Sequence, residues 1–207
     1  MNNVPKIEAR YVLPQYEERT PYGHKMQNPY TKLFEDRIVF LGTQVDEISA
    51  NDIMSQLLVL ASIDAERDIT MYINSPGGSV TDMTAIIDTM EFIAPDVSTV
   101  CLGQASSAAA VILAAGAKGK RLALPRSRVM IHQPSHGGTR GQASDITITA
   151  EEIKRLRDSI ETDMAHFTGQ DKETINKDMR RDKFLSASEA LDYGIIDAIV
   201  EPAAKRK

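Results

Sequence analysis

The sequence predicts an α/β domain built on a largely parallel sheet. From Arg37 onward, strand-like and helix-like patterns alternate in the order β-α-β-α-β-α, which marks that class. A sharp turn signal, Asn74-Ser-Pro-Gly-Gly78, follows directly on an apolar strand, where such folds place ligands. The chain has 207 residues, 42% of them hydrophobic, which is enough for one compact domain with its own core.

Residues 1–35 precede the domain. Pro5, Pro14, Pro21, Gly23 and Pro29 punctuate a polar stretch without sustained period, which reads as an extended arm. Tyr11, Tyr16, Tyr22 and Tyr30 give the arm groups that can dock on a surface. The domain is expected over 36–200, and 201–207 reads as a solvated tail. Residues 37–41 form a short apolar strand. Ser49 or Asn51 caps a helix carrying Ile53, Leu57, Leu60 and Ala61. Residues 69–73 are the next strand, and Met83, Ile86, Ile87, Met90 and Ile93 form a helical stripe. A strand over 97–102 leads into an Ala-rich helix over 106–115 that Gly116 ends. Two further strands cover 120–124 and 128–131.

The stretch 144–168 is amphipathic, with Ile153, Leu156, Ile160, Met164 and Phe167 at spacings of three and four. As a helix it would be about 35–40 Å long, more than a small domain buries, so it is expected to project and pack on another subunit. Ile146 and Ile148 also alternate, so residues 142–149 fit a strand as well. Short helices near 171–179 and 186–193 and a strand over 195–200 complete the pattern.

Charge and composition narrow the function. A net charge of −5 argues against a general nucleic-acid binder. The longest apolar run, 108–115, is too short to span a bilayer, and the polar N-terminus shows no apolar leader, so no membrane partner is expected. Cys101 is the one cysteine; it fits a reducing cytoplasm and, inside an apolar strand, reads as a packing residue. No His-Glu-x-x-His or clustered Cys/His spacing supports a metal site. Residues 74–78 have neither a P-loop lysine nor a Gly-x-Gly-x-x-Gly spacing, and no cofactor is expected.

Two segments carry chemistry. Gly103-Gln-Ala-Ser-Ser107-Ala places hydroxyls on a strand-to-helix turn, and Met130-Ile-His-Gln-Pro134 places a histidine just past another apolar strand. A serine needs a base to become a nucleophile, so the pair points to serine hydrolase chemistry. Ser106 and Ser107 both fit the nucleophile, and both equally fit a helix N-cap. The segment is not the Gly-x-Ser-x-Gly elbow of α/β-hydrolases. A helix N-terminus at this point offers unpaired N–H groups to an oxyanion. The Gly77–Gly78 pair lets backbone N–H face a substrate, and Gly78 is the favoured donor. His24, His132, His136 and His166 compete for the base, and His132 alone directly follows an apolar strand. The orienting acid stays open among Asp145, Asp163, Asp171, Asp178, Asp182, Asp192 and Asp197.

Several motifs in order resemble the ClpP family, the proteolytic subunit of the Clp protease. They are Tyr72-Ile-Asn-Ser-Pro-Gly-Gly78, Gly103-Gln-Ala-Ser-Ser107, Ala115-Gly-Ala-Lys-Gly-Lys-Arg121, Met130-Ile-His-Gln-Pro134, Gly141-Gln-Ala-Ser-Asp145, Arg181-Asp-Lys-Phe-Leu185 and Tyr193-Gly194. Arg10-Tyr-Val-Leu-Pro14 and Ser107-Ala-Ala-Ala110 look most like actinobacterial members. The resemblance implies Ser107 as nucleophile, His132 as general base, Asp182 as orienting acid, and the N–H groups of Gly78 and Ala108 as oxyanion hole. It implies that Gln133, Pro134, Gly137 and Gly138 lie on a strand that pairs with substrate. It implies a crotonase-like subunit with a protruding handle over about 139–169, and two stacked heptameric rings enclosing the active sites. A hexameric Clp ATPase would unfold polypeptides and feed them through axial pores lined by N-terminal segments. Arg181, beside Asp182, is expected to couple ring contact to the alignment of the acid.

This chain departs from the family pattern twice: Ser106 stands where alanine is common, and the loop 133–138 is one residue longer. Two other readings accompany the peptidase. One is an acyl-CoA hydratase or isomerase on the same fold, and the other is a structural or conditionally active ring subunit that needs a paralogue.

Overall fold

The computed structural model describes residues 14–21, 23–135, 137–138 and 140–201. Tyr11, Tyr22, His136, most of the Arg10-to-Pro14 motif and the tail from Pro202 lie outside the described residues. The chain forms two compact units, divided between Ile38 and Val39.

The first unit holds more regular structure than an extended arm. β1 (Tyr16–Thr20) and β2 (Gly23–Gln27) pair antiparallel, with Tyr16 opposite Gln27 and Thr20 opposite Gly23. Gly23 has φ 132°, a value that favours glycine at the reversal. The strands are polar on both faces, so no apolar alternation reveals them in the sequence. Asn28 caps α1 (Pro29–Glu35) by accepting the Thr31 N–H, and proline occupies the first turn, where its missing N–H costs nothing. The buried Gln27 amide donates to Glu18 and Glu35 and ties the hairpin to this helix.

In the second unit, β3 (Ile38–Leu41), β4 (Ile69–Ser75), β5 (Val97–Ser106), β6 (Arg121–Ala123) and β9 (Ala198–Ile199) lie side by side in that order. β7 (Arg128–Ile131) pairs with β5, and β8 (Lys183–Ser186) pairs with β7. The β4–β5, β5–β6, β5–β7 and β6–β9 pairs are parallel, and β7–β8 is antiparallel. The fold is therefore α/β with a mainly parallel sheet. The helices of this unit are α2 (Glu47–Ile63), α3 (Val80–Phe92), α4 (Ala108–Ala114), α5 (Ala143–Thr168), α6 (Lys172–Asp178) and α7 (Ala187–Tyr193).

Four of the differences from the expected boundaries have a local reason. α2 starts at Glu47 because Asp46 is its cap: Asp46 accepts the Ser49 N–H while the Ser49 hydroxyl accepts the Asp46 N–H. β5 extends to Ser106, which delays α4 to Ala108. Residues 143–149 are helical rather than extended, with Gln142 as the extended N-cap: Asp145 accepts the Gln142 N–H where α5 starts. β8 has no counterpart in the sequence reading at all.

The length of β5 is what positions the site. Its first half, Thr99 to Cys101, pairs with β6, while its last residues, Gln104 to Ser106, pair with β7. α4 packs beneath this fork with all seven residues buried, which its small alanines permit. Cys101 is fully buried in β5. Burial pushes its thiol up from the ordinary range, which suits a packing residue. α5 has 26 residues, and its buried ones, Ile160, Glu161 and Met164, all fall in its C-terminal half. No helix among the described residues is long and apolar enough to cross a membrane.

Candidate active site

Two registers bring the candidate residues together. Ser106 lies opposite Met130 in the parallel β5–β7 pair, and the Ser107 N–H donates to the Met130 carbonyl at 2.8 Å. Residue 132 therefore emerges beside residue 107. The His132 Nε2 and Ser107 Oγ are 2.7 Å apart, a full hydrogen bond, in which Nε2 is the acceptor when the ring proton sits on Nδ1. On the other side of β7, Ile131 lies opposite Lys183. Continuing that antiparallel register by one residue sets Asp182 across from His132. Asp182 Oδ1 stands 3.6 Å from His132 Nδ1, within ion-pair reach but longer than a hydrogen bond. The Asp182 side chain is 61% exposed.

Ser107 has φ 56° and ψ −125°, a sparsely populated region for a residue with a Cβ. Its side chain makes no capping bond to α4, so the N-cap reading of this hydroxyl does not hold and Oγ points to His132 instead. Ser106 is buried at the end of β5 and makes no hydrogen bond to His132 among the described residues.

The glycine pair closes the other side. Gly77 has φ 87°, and a Cβ there would lie 2.3 Å from the Ser106 carbonyl oxygen and 2.9 Å from the Ala108 nitrogen. Only a bare backbone fits so close to the serine turn. Val45 holds the loop from behind. Its N–H donates to the Gly77 carbonyl and its carbonyl accepts the Ser79 N–H, forming a parallel bridge with Gly78. In such a bridge the N–H of Gly78 itself is not used. The Ala108 N–H is the first of α4, where no intrahelical acceptor exists. Among the described residues, two unused donors therefore flank the Ser107 turn.

Most of the remaining candidates are occupied elsewhere; Asp163 lies on α5 and Asp192 on α7. His24 pairs with Glu17 in the hairpin, and the His166 ring lies tilted beside that of Phe167 on α5. Asp145 and Asp171 cap helices, Asp178 binds Lys183 and Tyr193, and Asp197 binds Arg121. Among the described residues, Asp182 is the carboxylate within ion-pair reach of His132. The sequence could not select it, because β8 is four residues long and shows no clean alternation. The usable signal is the antiparallel pairing of two short strands, which places residues 132 and 182 in one row.

Gln133, Pro134, Gly137 and Gly138 follow β7 outside any regular strand. The Gln133 N–H already donates to the Met179 carbonyl at 2.6 Å, and its side-chain Nε2 donates to the Arg180 carbonyl at 3.1 Å. Arg180 and Arg181 line a cavity of about 350 Å³ together with Gln133.

The family model described as Clp protease matches residues 21–203. Curated relatives cover nearly all of the chain. An "ATP-dependent Clp protease proteolytic subunit 1" of Rhodococcus jostii is 61% identical over 194 residues, which are 94% of this chain and 88% of the relative. The chain belongs to the Clp protease family. Similar relatives carry other subunit numbers. A "proteolytic subunit 2" of Corynebacterium jeikeium is 58% identical over 97% of this chain and 96% of its own length. A "proteolytic subunit 3" of Nocardia farcinica is 60% identical over 94% of this chain and 88% of its own length. For a Clp protease family member, a serine bonded to a histidine at the mouth of a glycine-lined turn is the arrangement that peptide hydrolysis needs.

Proposed function

We infer that this chain is the serine peptidase subunit of a Clp protease, with Ser107, His132 and Asp182 as its catalytic triad. The single observation that carries the reading is the 2.7 Å bond between His132 Nε2 and Ser107 Oγ, beside two unused backbone donors. His132 takes the Ser107 proton as Oγ attacks the peptide carbonyl. The Gly78 and Ala108 N–H groups hold the tetrahedral oxyanion. His132 then passes the proton to the leaving amine, and water activated by the same imidazole releases the acyl group from Ser107. Asp182 favours the Nδ1–H tautomer and stabilises the imidazolium. The 3.6 Å separation is expected to shorten in the transition state, as catalytic hydrogen bonds commonly tighten there. Gly137 and Gly138 pair with substrate as an added strand; the committed N–H of Gln133 leaves that pairing to the residues after it.

The assembly belongs to the same proposal. The words "ATP-dependent" in the relatives' name support an ATPase partner, which on this proposal unfolds and feeds polypeptides, and their numbering as subunits 1, 2 and 3 supports a paralogous partner subunit. The domain spans 36–200 and is crotonase-like. The segment of about 139–169, which contains all of α5 and has Ile146 and Ile148 exposed, serves as the handle between two stacked heptameric rings. The first 35 residues form the axial segment, and the site works in the cytoplasm. Arg181 carries ring contact to Asp182.

The hydratase reading gives the Ser107–His132 bond no task and is not favoured, nor is a purely structural role. The test is hydrolysis of a fluorogenic peptide by the purified protein, alone and mixed with a paralogous subunit. Turnover that disappears in Ser107→Ala is expected; equal turnover in Ser107→Ala removes the reading.

A further inference from the structure

We propose that Gln133 is a positioning residue, which sets the distance between Asp182 and the His132 imidazole by clamping the turn that carries the acid. The inference rests on the triad reading above. Asp182 has no hydrogen bond of its own among the described residues, and its side chain is 61% exposed. Its place is therefore inherited from the backbone of the turn between α6 and β8. That turn is held at two points. Asp178 accepts Tyr193 Oη at 3.0 Å and pairs with Lys183 Nζ at 2.7 Å, with the ammonium 4.9 Å from the centre of the Tyr193 ring. Burial, with Asp178 close by, pushes the Tyr193 hydroxyl far above its ordinary range, so it stays a donor. The second point is Gln133, whose N–H and side-chain amide take the successive carbonyls of Met179 and Arg180 at 2.6 and 3.1 Å.

Gln133 differs from the first anchor in one respect: it is bonded covalently to His132. The base and the clamp on the acid thus share one strand end, and a shift of Gln133 changes the His132–Asp182 gap directly. The gap is already at the edge of bonding, so small displacements matter; about 1 Å of misplacement can cost a hundredfold in rate. Asp178, Arg180, Arg181, Asp182 and Lys183 are the charged groups of the turn. Within it, the amide of Gln133 acts on carbonyls rather than on charges.

Gln133→Met in the full chain fills the same space without a donor. Steady-state hydrolysis of a fluorogenic peptide should show kcat about tenfold lower with KM within about twofold, matching the loss of one hydrogen bond. The acid limb of the pH–rate profile should move to lower pH, because a displaced Asp182 no longer favours the imidazolium. In an Asp182→Asn background, Gln133→Met should change kcat less than about twofold, since two residues acting through one interaction are not additive. A raised KM at unchanged kcat, an unmoved acid limb, or the full tenfold loss repeated on Asp182→Asn overturns the proposal. Rates are taken per assembled particle by native mass spectrometry; a loss that vanishes on that correction also overturns it. Gln133→Ala, which keeps the backbone bond, should give the same shift and serves where Gln133→Met does not assemble. Wild-type activity lost in Ser107→Ala but unmoved by Gln133 variants defeats this inference alone. Activity retained in Ser107→Ala defeats the triad reading itself.

Discussion

Ser107 holds a strained backbone conformation that costs on the order of 1–3 kcal/mol and is stabilised by its neighbours. Its N–H is bonded to Met130, and the bare backbone of Gly77 lies against its turn. Gly77→Ala is therefore expected to do two things at once. It destabilises the fold by a few kcal/mol, because φ 87° is costly for alanine and the new Cβ meets the Ser106 carbonyl. It also moves Ser107, and kcat should fall about a hundredfold or more. Thermal unfolding and peptide hydrolysis check the two effects separately. A Gly77→Ala enzyme with wild-type kcat would show that this close approach does not shape the site. Serine, histidine and Gly78 were legible as candidates because each stands at a strand end with an unmistakable turn signal. Asp182 was not, because its selection depends on a long-range strand pairing that leaves no local mark; only the family resemblance named it.

At the scale of elements, one buried ion pair holds the far side of the sheet. Arg121 is buried and donates to both carboxylate oxygens of Asp197, at 2.9 and 2.6 Å. Its other nitrogen reaches the carbonyls of Ala114 and Phe167, at the ends of α4 and α5. Arg121→Ala is expected to cost about 3–5 kcal/mol, because it strands a carboxylate and two helix ends. Denaturant unfolding measures this. Hydrogen bonds from Arg121 hold the Asp197 carboxyl below the usual carboxylate range, outweighing its partial burial. A depressed carboxylate contributes stability above its unfolded value of about 3.9 and loses it as pH falls through the lower, folded value. Melting temperature should thus drop below about pH 4, and Asp197→Asn should flatten that acid drop. An unchanged acid slope would remove Asp197 from the cause. The alternation of strands and helices was readable here because apolar stripes such as Met83 to Met90 face one core. The polar hairpin of the first unit was not, because it buries no apolar face. The helical start of α5 was masked by an accidental alternation of Ile146 and Ile148, both of which are exposed.

At the scale of the whole molecule, exposed apolar side chains call for partners. Ile48, Ile63, Phe92 and Ile148 are each more than two-thirds or nearly two-thirds exposed, at 74, 68, 81 and 63%. Where such side chains join in one contiguous patch they mark association, whereas scattered ones are ordinary surface. If the exposed half of α5 joins two rings, Ile148→Asp should halve the assembled particle, and sedimentation velocity would show it; an unchanged particle would place the ring contact elsewhere. On the proposal that ring contact aligns Asp182, whose side chain is 61% exposed, peptidase activity should fall with the particle.

The central claim is that Ser107 is the nucleophile. Intact mass spectrometry after exposure to a fluorophosphonate measures it most directly. The wild-type subunit should gain one phosphonyl group, mapped to Ser107 by peptide sequencing. Ser107→Ala should gain none, and His132→Ala should react at least a hundredfold more slowly. Labelling at Ser106, or undiminished labelling and peptide turnover in Ser107→Ala, would contradict the account.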